Sequence, residues 1–80
     1  MGESSIEEKK RKWAELEEEA RRVRRERADW VFIERQPPRV RAALRYYVET
    51  GDIRRAALFA GLDLEDFREL LRKAKIPVVV

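Results

Sequence analysis

The sequence predicts an all-α fold in which a long, charged N-terminal helix with a partial heptad seam precedes a three-helix bundle. The bundle contains a helix-turn-helix and ends in a short extended tail. Three observations predict this fold: apolar residues recur at helical spacing, Gly and Asp residues stand at helix ends, and prolines interrupt the pattern at positions 37, 38 and 77. We assign residues 1–34 to the N-terminal helix and residues 35–80 to the helix-turn-helix domain.

The first helix is predicted to begin near Ser5, because Ser5 and Glu8 have the spacing of a capping box. It continues to about Ile33, and the two following prolines end it. Residues 30–33 are all apolar, which predicts that this end of the helix is buried.

The first helix carries a heptad seam, in which two sets of apolar residues recur at seven-residue spacing. The seam consists of Ile6, Trp13, Leu16, Ala20, Val23 and Trp30. We expect it to form the interface of a homodimer or of a complex with a partner protein, because an isolated helix with so few apolar residues is marginal in water. Lys9 and Arg27 interrupt the seam, so the coiled coil is partial. In the alternative, the stripe folds back on the three C-terminal helices of its own chain.

The second helix is predicted to have Pro38 in its first turn and to end at Gly51. Its apolar face carries Val40, Ala43, Leu44, Tyr47 and Val48. We expect this helix to support the two helices that follow it.

The window from Ile53 to Arg72 has the residue pattern of a helix-turn-helix. Ala57 lies where the two helices meet, and its small side chain permits the crossing angle of roughly 90–120°. Gly61 adopts the left-handed conformation that ends the first of the two helices. Asp52 and Asp63 are predicted to cap the two helices through their side-chain oxygens. The buried stripe of the second helix is Leu64, Phe67, Leu70 and Leu71.

The last five residues cannot continue a helix past Pro77 and are predicted to form a strand or a flexible end. A free apolar strand end pairs readily with another chain. Residues 78–80 are therefore candidates for pairing within a dimer.

Positive charge is concentrated in the C-terminal part of the chain. Residues 1–34 contain nine basic and ten acidic side chains, whereas residues 35–80 contain ten basic and six acidic ones. A basic surface attracts the phosphates of double-stranded DNA. The predicted DNA-contacting residues are Arg39, Arg54, Arg55, Arg68, Arg72 and Lys73.

One feature argues against DNA binding. The helix that would enter the major groove begins with Asp63, Glu65 and Asp66. The N-terminal residues of such a helix approach base edges, so these carboxylates meet phosphate repulsion unless one of them accepts from a cytosine amino group.

The composition argues against an enzyme, because the chain has no His and no Cys to serve as a general base or a thiolate. Ser4, Ser5 and Thr50 stand beside no activating base in the sequence. We predict no catalytic residue, metal site, cofactor or small-molecule substrate. The chain shows no signal peptide and no membrane-spanning run, so we expect a cytoplasmic protein, and its rich charge resembles that of thermophile proteins.

From Arg41 to Val78 the chain resembles small prokaryotic helix-turn-helix proteins proposed as antitoxins of PIN-domain ribonucleases. The resemblance rests on Ala43-Leu44-Arg45-Tyr46-Tyr47, Thr50-Gly51-Asp52-Ile53, Ala56-Ala57, Ala60-Gly61-Leu62, Phe67, Leu70-Leu71 and Ile76-Pro77-Val78. It implies a dimeric DNA-binding module that represses its own operon, together with a segment that occupies a ribonuclease toxin. The long first helix has no counterpart in that family.

Two hypotheses follow from the sequence. In the first, the protein is a dimeric transcription regulator of antitoxin type that docks residues 53–72 on DNA. In the second, it is a protein–protein interaction module, in which the helices form only a scaffold and the acidic turn at Asp63 faces a basic partner.

Overall fold

The computed structural model describes the backbone of residues 2–78 and the side chains of residues 9–78. These residues form helices only, with no strand, which confirms the predicted all-α class. The helices are α1 (Gly2–Arg27), α2 (Trp30–Glu34), α3 (Pro38–Thr50), α4 (Ile53–Ala60) and α5 (Leu64–Lys73). The molecule is elongated, 51 × 23 × 19 Å, because α1 extends well beyond the other helices.

Helix α1 begins at Gly2, ahead of the predicted start at Ser5. Other predictions concern residues or side chains that the structure does not describe. The side chains of the predicted capping box and of the seam residue Ile6 lie outside the described residues, as do Val79 and Val80.

The prediction of one helix from Ser5 to Ile33 is wrong, because the helix is interrupted at Asp29. The backbone of Asp29 is extended, and its N–H donates to the carbonyl oxygen of Ala74 at 2.7 Å instead of to a carbonyl of α1. Its side chain accepts from the N–H of Phe32 at 3.1 Å and so caps α2. The backbone hydrogen bond from Asp29 to Ala74 therefore joins the end of α1 to the end of α5.

Trp30 completes the break by capping α1. Its indole Nε1 donates to the carbonyl oxygen of Arg25 at 2.9 Å, a carbonyl that lost its helical donor when the backbone turned at Asp29. Trp30 thus belongs to α2, and the prediction that it continues the seam along the first helix is wrong. The predicted burial of residues 30–33 holds for Ile33 and in part for Phe32, which packs against the core, whereas Trp30 is 38% and Val31 63% exposed.

The hydrophobic core joins residues from both sides of position 34. Its largest fully buried side chains are Ile33, Leu44, Val48, Phe67 and Leu71. Tyr47 meets the ring of Phe67 edge to face, with the ring centroids 6.3 Å apart. Ala28, at the end of α1, is buried in the same cluster, so the base of α1 is anchored in the core.

Helix α4 packs on α3 through a face of small residues. Ala56, Ala57 and Ala60 are its buried positions, and they permit a close approach to α3, where Ala43 is also fully buried. Ala57 is 3% exposed, and the predicted contact of its small side chain with the following helix stays a prediction.

Both glycines that were predicted to end helices do so. Gly51, after α3, and Gly61, after α4, each have a φ of 70°. The N–H of Leu62 donates back to the carbonyl oxygen of Ala57 at 3.0 Å, which closes the end of α4 as a Schellman turn.

The end of α5 is closed by the same turn without a glycine. Lys75 takes the left-handed conformation with a φ of 57°, and the N–H of Ile76 donates to the carbonyl oxygen of Leu71 at 3.0 Å. This turn buries Ile76 in the core. Residues 76–78 leave the helix as predicted but form no strand.

Candidate nucleic-acid interface and exposed helix seam

An aspartate side chain caps the N-terminus of each helix in the α4–α5 unit. Asp52 Oδ1 accepts from the N–H of Arg55 at 3.1 Å, and Asp63 Oδ1 accepts from the N–H of Asp66 at 2.8 Å. Both caps were predicted from the sequence. They fix where α4 and α5 begin, and therefore which side chains each helix presents to solvent.

Arg54 and Arg55 lie in the first turn of α4 and are exposed. Arg55 stands 3.9 Å from the carboxylate of Asp52, a loose contact between exposed groups. Arg54 has no ion-pair partner among residues 9–78. Its charge is thus available to an external anion.

Arg68, Arg72 and Lys73 are exposed on α5. Arg72 forms a two-point ion pair with Glu69, in which Nε is 3.1 Å from Oε2, and this pairing holds the pKa of the Glu69 carboxyl below its ordinary value. Arg68 and Lys73 make no ion pair within the part of the chain that the structure describes. The charge of Arg72 is therefore partly compensated by the carboxylate of Glu69, whereas Arg68 and Lys73 have no acidic partner among these residues.

Arg39 differs from the other predicted DNA-contacting residues because its side chain caps the C-terminal end of α4. Its Nε donates to the carbonyl oxygen of Phe59, in the last turn of α4, at 2.7 Å. Its guanidinium lies beside Gly61, where an added Cβ would be 3.2 Å from Cζ. Arg39 is exposed, and its hydrogen bond to Phe59 holds the α4–α5 turn against the start of α3.

The carboxylates at the start of α5 have a local structural explanation. Asp63 is occupied as the helix cap, and Glu65 and Asp66 lie in the first turn, where the helix dipole favours negative charge. Arg72 and Lys73 lie in the last turn, where it favours positive charge. The exposed face of α5 is consequently acidic at its N-terminal end and basic at its C-terminal end.

A cluster of arginines from α1 caps the C-terminal end of α3. Arg21 Nε donates to the carbonyl oxygen of Glu49 at 2.8 Å, and Arg24 Nε donates to that of Val48 at 2.9 Å. Arg24 is 8% exposed and lies over the ring of Tyr47, 5.8 Å from its centroid. These contacts supply donors to carbonyls that the helix itself cannot satisfy.

Arg25 adds an ion pair to this cluster. Its Nε and Nη2 bind the two carboxylate oxygens of Glu49 at 2.9 and 2.6 Å. The hydrogen bond from Arg25 holds the pKa of Glu49 below its ordinary value. The cluster was not predicted from the sequence, because its partners are more than 20 positions apart in the chain.

The seam on α1 divides into a covered and an uncovered part. Ala20 and Val23 are half-buried against the rest of the chain, whereas Trp13 and Leu16 are 67% and 60% exposed. The fold-back alternative thus describes only the C-terminal part of α1.

Two grooves flank the uncovered part of the seam. One, of about 250 Å³, runs between α1 and the end of α3, where Thr50 and Gly51 line it. The other, of about 380 Å³, lies between α1 and Pro77. Leu16 and Ala20 line both grooves.

A second apolar surface lies on α4. Leu58 is 73% and Phe59 49% exposed, and Phe59 packs edge to face on Tyr46 with ring centroids 4.9 Å apart. These residues were not predicted from the sequence, although Leu58 stands outside the small-residue stripe that α4 buries.

Within residues 9–78 no group of acidic side chains is arranged to hold a metal ion. None of the described helices has the length and apolarity that crossing a membrane requires. Comparisons of the chain with protein-family models, curated proteins and solved structures returned no match.

Proposed function

We propose that the protein is a homodimeric DNA-binding regulator of antitoxin type, in which α4 and α5 act as a helix-turn-helix and α1 joins two copies. One observation carries the proposal. The Gly61 turn and the Asp63 cap present two short helices whose exposed faces include Arg54 and Arg68, both without ion-pair partners among residues 9–78.

In this proposal α4 lies across the phosphate backbone and α5 enters the major groove. Arg54 and Arg55, at the start of α4, contact phosphates on one side of the groove. Arg68 and Lys73 contact phosphates from α5. Arg39 contributes indirectly, since it holds the last turn of α4 in place.

The acidic start of α5 limits how this helix reads DNA. With Asp63 occupied as the cap, Glu65 and Asp66 are the carboxylates that face the groove. A carboxylate accepts from the amino group of cytosine and repels phosphates, so affinity depends on the basic residues elsewhere in the unit. The motif resemblance of residues 41–78 to antitoxin-type proteins is the basis for the antitoxin part of the proposal.

The test is binding to labelled duplex DNA from the upstream region of the gene, compared with random duplex across a salt series. Affinity should fall with rising salt, and the double variant Arg54→Ala/Arg68→Ala should bind less tightly and reduce the salt slope by about 1 for each lost phosphate contact. The double variant Arg22→Ala/Arg27→Ala is the matched control, because it removes two exposed arginines from the C-terminal part of α1. Equal losses in both variants, or binding that ignores salt, would contradict the proposal.

A second candidate function, a protein–protein interaction module, is favoured by the exposure of Trp13 and Leu16. In this case the partner is a ribonuclease of toxin type or another protein, and DNA is not bound. Recovery of only nucleic acid in a pull-down from the native cell extract would contradict it. Loss of a captured protein in the Trp13→Ala variant, with DNA binding absent throughout, would support it.

A further inference from the structure

We propose that two copies of the chain pair through the uncovered part of α1 in antiparallel orientation, with Trp13 of each copy against Leu16 of the other. This inference deepens the proposed function, because it rests on the self-association of α1 proposed there. It does not depend on DNA binding.

The pairing surface is limited to a few turns of α1. Arg24 and Ala28 are buried against the rest of the chain, and Ala20 and Val23 are half-buried there. Among residues 9–78, a second helix therefore has access to the seam from Lys9 to about Ala20. Within this stretch Trp13 and Leu16 are the large apolar side chains, and they are neighbours on one helix face.

The charges along this stretch select a second copy as the occupant. Four basic residues, Lys9, Lys10, Arg11 and Lys12, are followed by four acidic ones, Glu15, Glu17, Glu18 and Glu19. All eight are exposed. An antiparallel copy places its basic block opposite the acidic block and its acidic block opposite the basic one, so the surface is complementary to itself.

The seam positions also match in this orientation. When Trp13 faces Leu16 of the second copy, Lys9 faces Ala20, whose small side chain leaves room for the aliphatic part of the lysine. A parallel pair would instead place Lys9 against Lys9 within the seam and align each charged block with its like. Repulsion of this kind at a seam position disfavours the parallel alternative.

The position of the other helices points the same way. They pack on α1 from about Arg21 onward and form the body of the molecule, α2–α5. A parallel pair would bring the two bodies together at one end of the paired α1 helices. An antiparallel pair places the two bodies at opposite ends. The second helix then runs towards the two grooves beside Leu16 and Ala20, which are the apolar concavities at this end of the seam.

Cysteine cross-linking tests the orientation, because the chain contains no cysteine of its own. Two single variants of the full chain, Lys9→Cys and Ala20→Cys, are oxidised separately and then as a mixture. In the antiparallel pair, two Lys9 positions are roughly 16 Å apart along the helix axis, well beyond the roughly 7 Å that a disulfide spans. The mixture should therefore form a mixed disulfide dimer, and each variant alone should form none.

Each outcome decides the proposal. Self-dimers of Lys9→Cys would establish a parallel pair and overturn it. Arg22→Cys, which lies on the opposite face of α1, is the control for random collision and should not cross-link. Sedimentation of the unmodified chain is the second measurement: a dimer that weakens at high salt and is lost in Trp13→Ala/Leu16→Ala supports the pairing, and a monomer at all concentrations overturns it even where a cysteine variant fails to fold.

These outcomes are separable from those of the DNA-binding test. A monomer that still binds DNA through Arg54 and Arg68 would refute the pairing alone. An antiparallel dimer that binds no duplex would refute the DNA-binding function and leave the pairing intact.

Discussion

Arg24 donates from Nε to the carbonyl oxygen of Val48 at 2.9 Å, and this hydrogen bond fastens the long N-terminal helix to the last turn of α3. The guanidinium is almost fully buried and makes no ion pair with any residue that the structure describes, so its charge is stabilised by the carbonyl and by the face of Tyr47. Such a group is costly to remove, because the carbonyl that it satisfies would be left without a donor.

We therefore expect Arg24→Ala to lower the free energy of unfolding by about 1.5–3 kcal/mol, the range for hydrogen bonds to charged groups. Arg24→Lys should recover only part of this loss, because an ammonium cannot reproduce the planar contact with both Val48 and the Tyr47 ring. Urea denaturation followed by circular dichroism measures both. Arg22→Ala, an exposed change on the same helix, should stay within about 0.5 kcal/mol of the original chain, and a similar loss there would contradict the assignment.

The two Schellman turns predict opposite effects of glycine. Lys75 holds a left-handed φ of 57°, which is unfavourable for a side chain with a Cβ, so Lys75→Gly should stabilise the fold by about 0.5–1 kcal/mol. Gly61→Ala, at a φ of 70°, should destabilise it by about 1–2 kcal/mol. Thermal unfolding compares the two. Lys75→Ala removes the charge but keeps the strained backbone, and stabilisation by this control as well would show that charge is the cause.

The ion pair between Arg25 and Glu49 predicts a dependence of stability on pH. Because the pKa of Glu49 is lowered in the folded chain, its contribution is present above the unfolded pKa and is lost as the pH falls below about 4.5. The pair is half-exposed, so we expect Glu49→Gln to cost only about 0.2–1 kcal/mol at pH 7. The difference from the original chain should shrink as the pH is lowered through and below about 4.5 in a series of denaturant titrations. A difference that does not shrink would show that the pair is not its source.

Features fixed by neighbouring residues were predictable from the sequence. Asp52, Asp63, Gly51 and Gly61 act within a few positions of themselves, and the structure places all four as predicted. The apolar stripe that contains Phe67 and Leu71 was predictable for the same reason, since helical periodicity is a local property.

Features that depend on distant partners were not predictable. The interruption of the helix at Asp29 depends on the carbonyl of Ala74 as an acceptor. The sequence around Asp29 does not indicate a contact with a residue so far along the chain. Asp29 was nevertheless a possible helix cap before an apolar run, a signal that the heptad spacing of Trp30 concealed. Arg39 was assigned to DNA by its charge, whereas its contact with Phe59 arises only when α3 and α4 pack.

The acidic start of α5 gives a prediction for DNA affinity. If α5 enters the major groove, Glu65→Gln/Asp66→Asn should tighten binding to random duplex at low salt, because two repulsive charges leave the groove while the Asp63 cap remains. Binding measured by fluorescence anisotropy tests this. Glu26→Gln/Glu34→Gln removes equal charge from α1 and α2, outside both proposed interfaces, and is the control. No change in the α5 variant would mean that another surface faces the DNA.

The antiparallel pairing of α1 predicts the spacing of the DNA half-sites. With Trp13 against Leu16 of the second copy, the two Arg24 residues, where the helical bodies attach, are about 28 Å apart along the helix axis. This separation is of the same order as the roughly 34–36 Å between successive major grooves on one face of the duplex, which would accommodate one α4–α5 unit each. Duplexes selected from a random pool should therefore contain two inverted half-sites about 10 base pairs apart, and hydroxyl-radical footprints should show both protected on one face. A footprint of one half-site, or half-sites at another spacing, would contradict this arrangement.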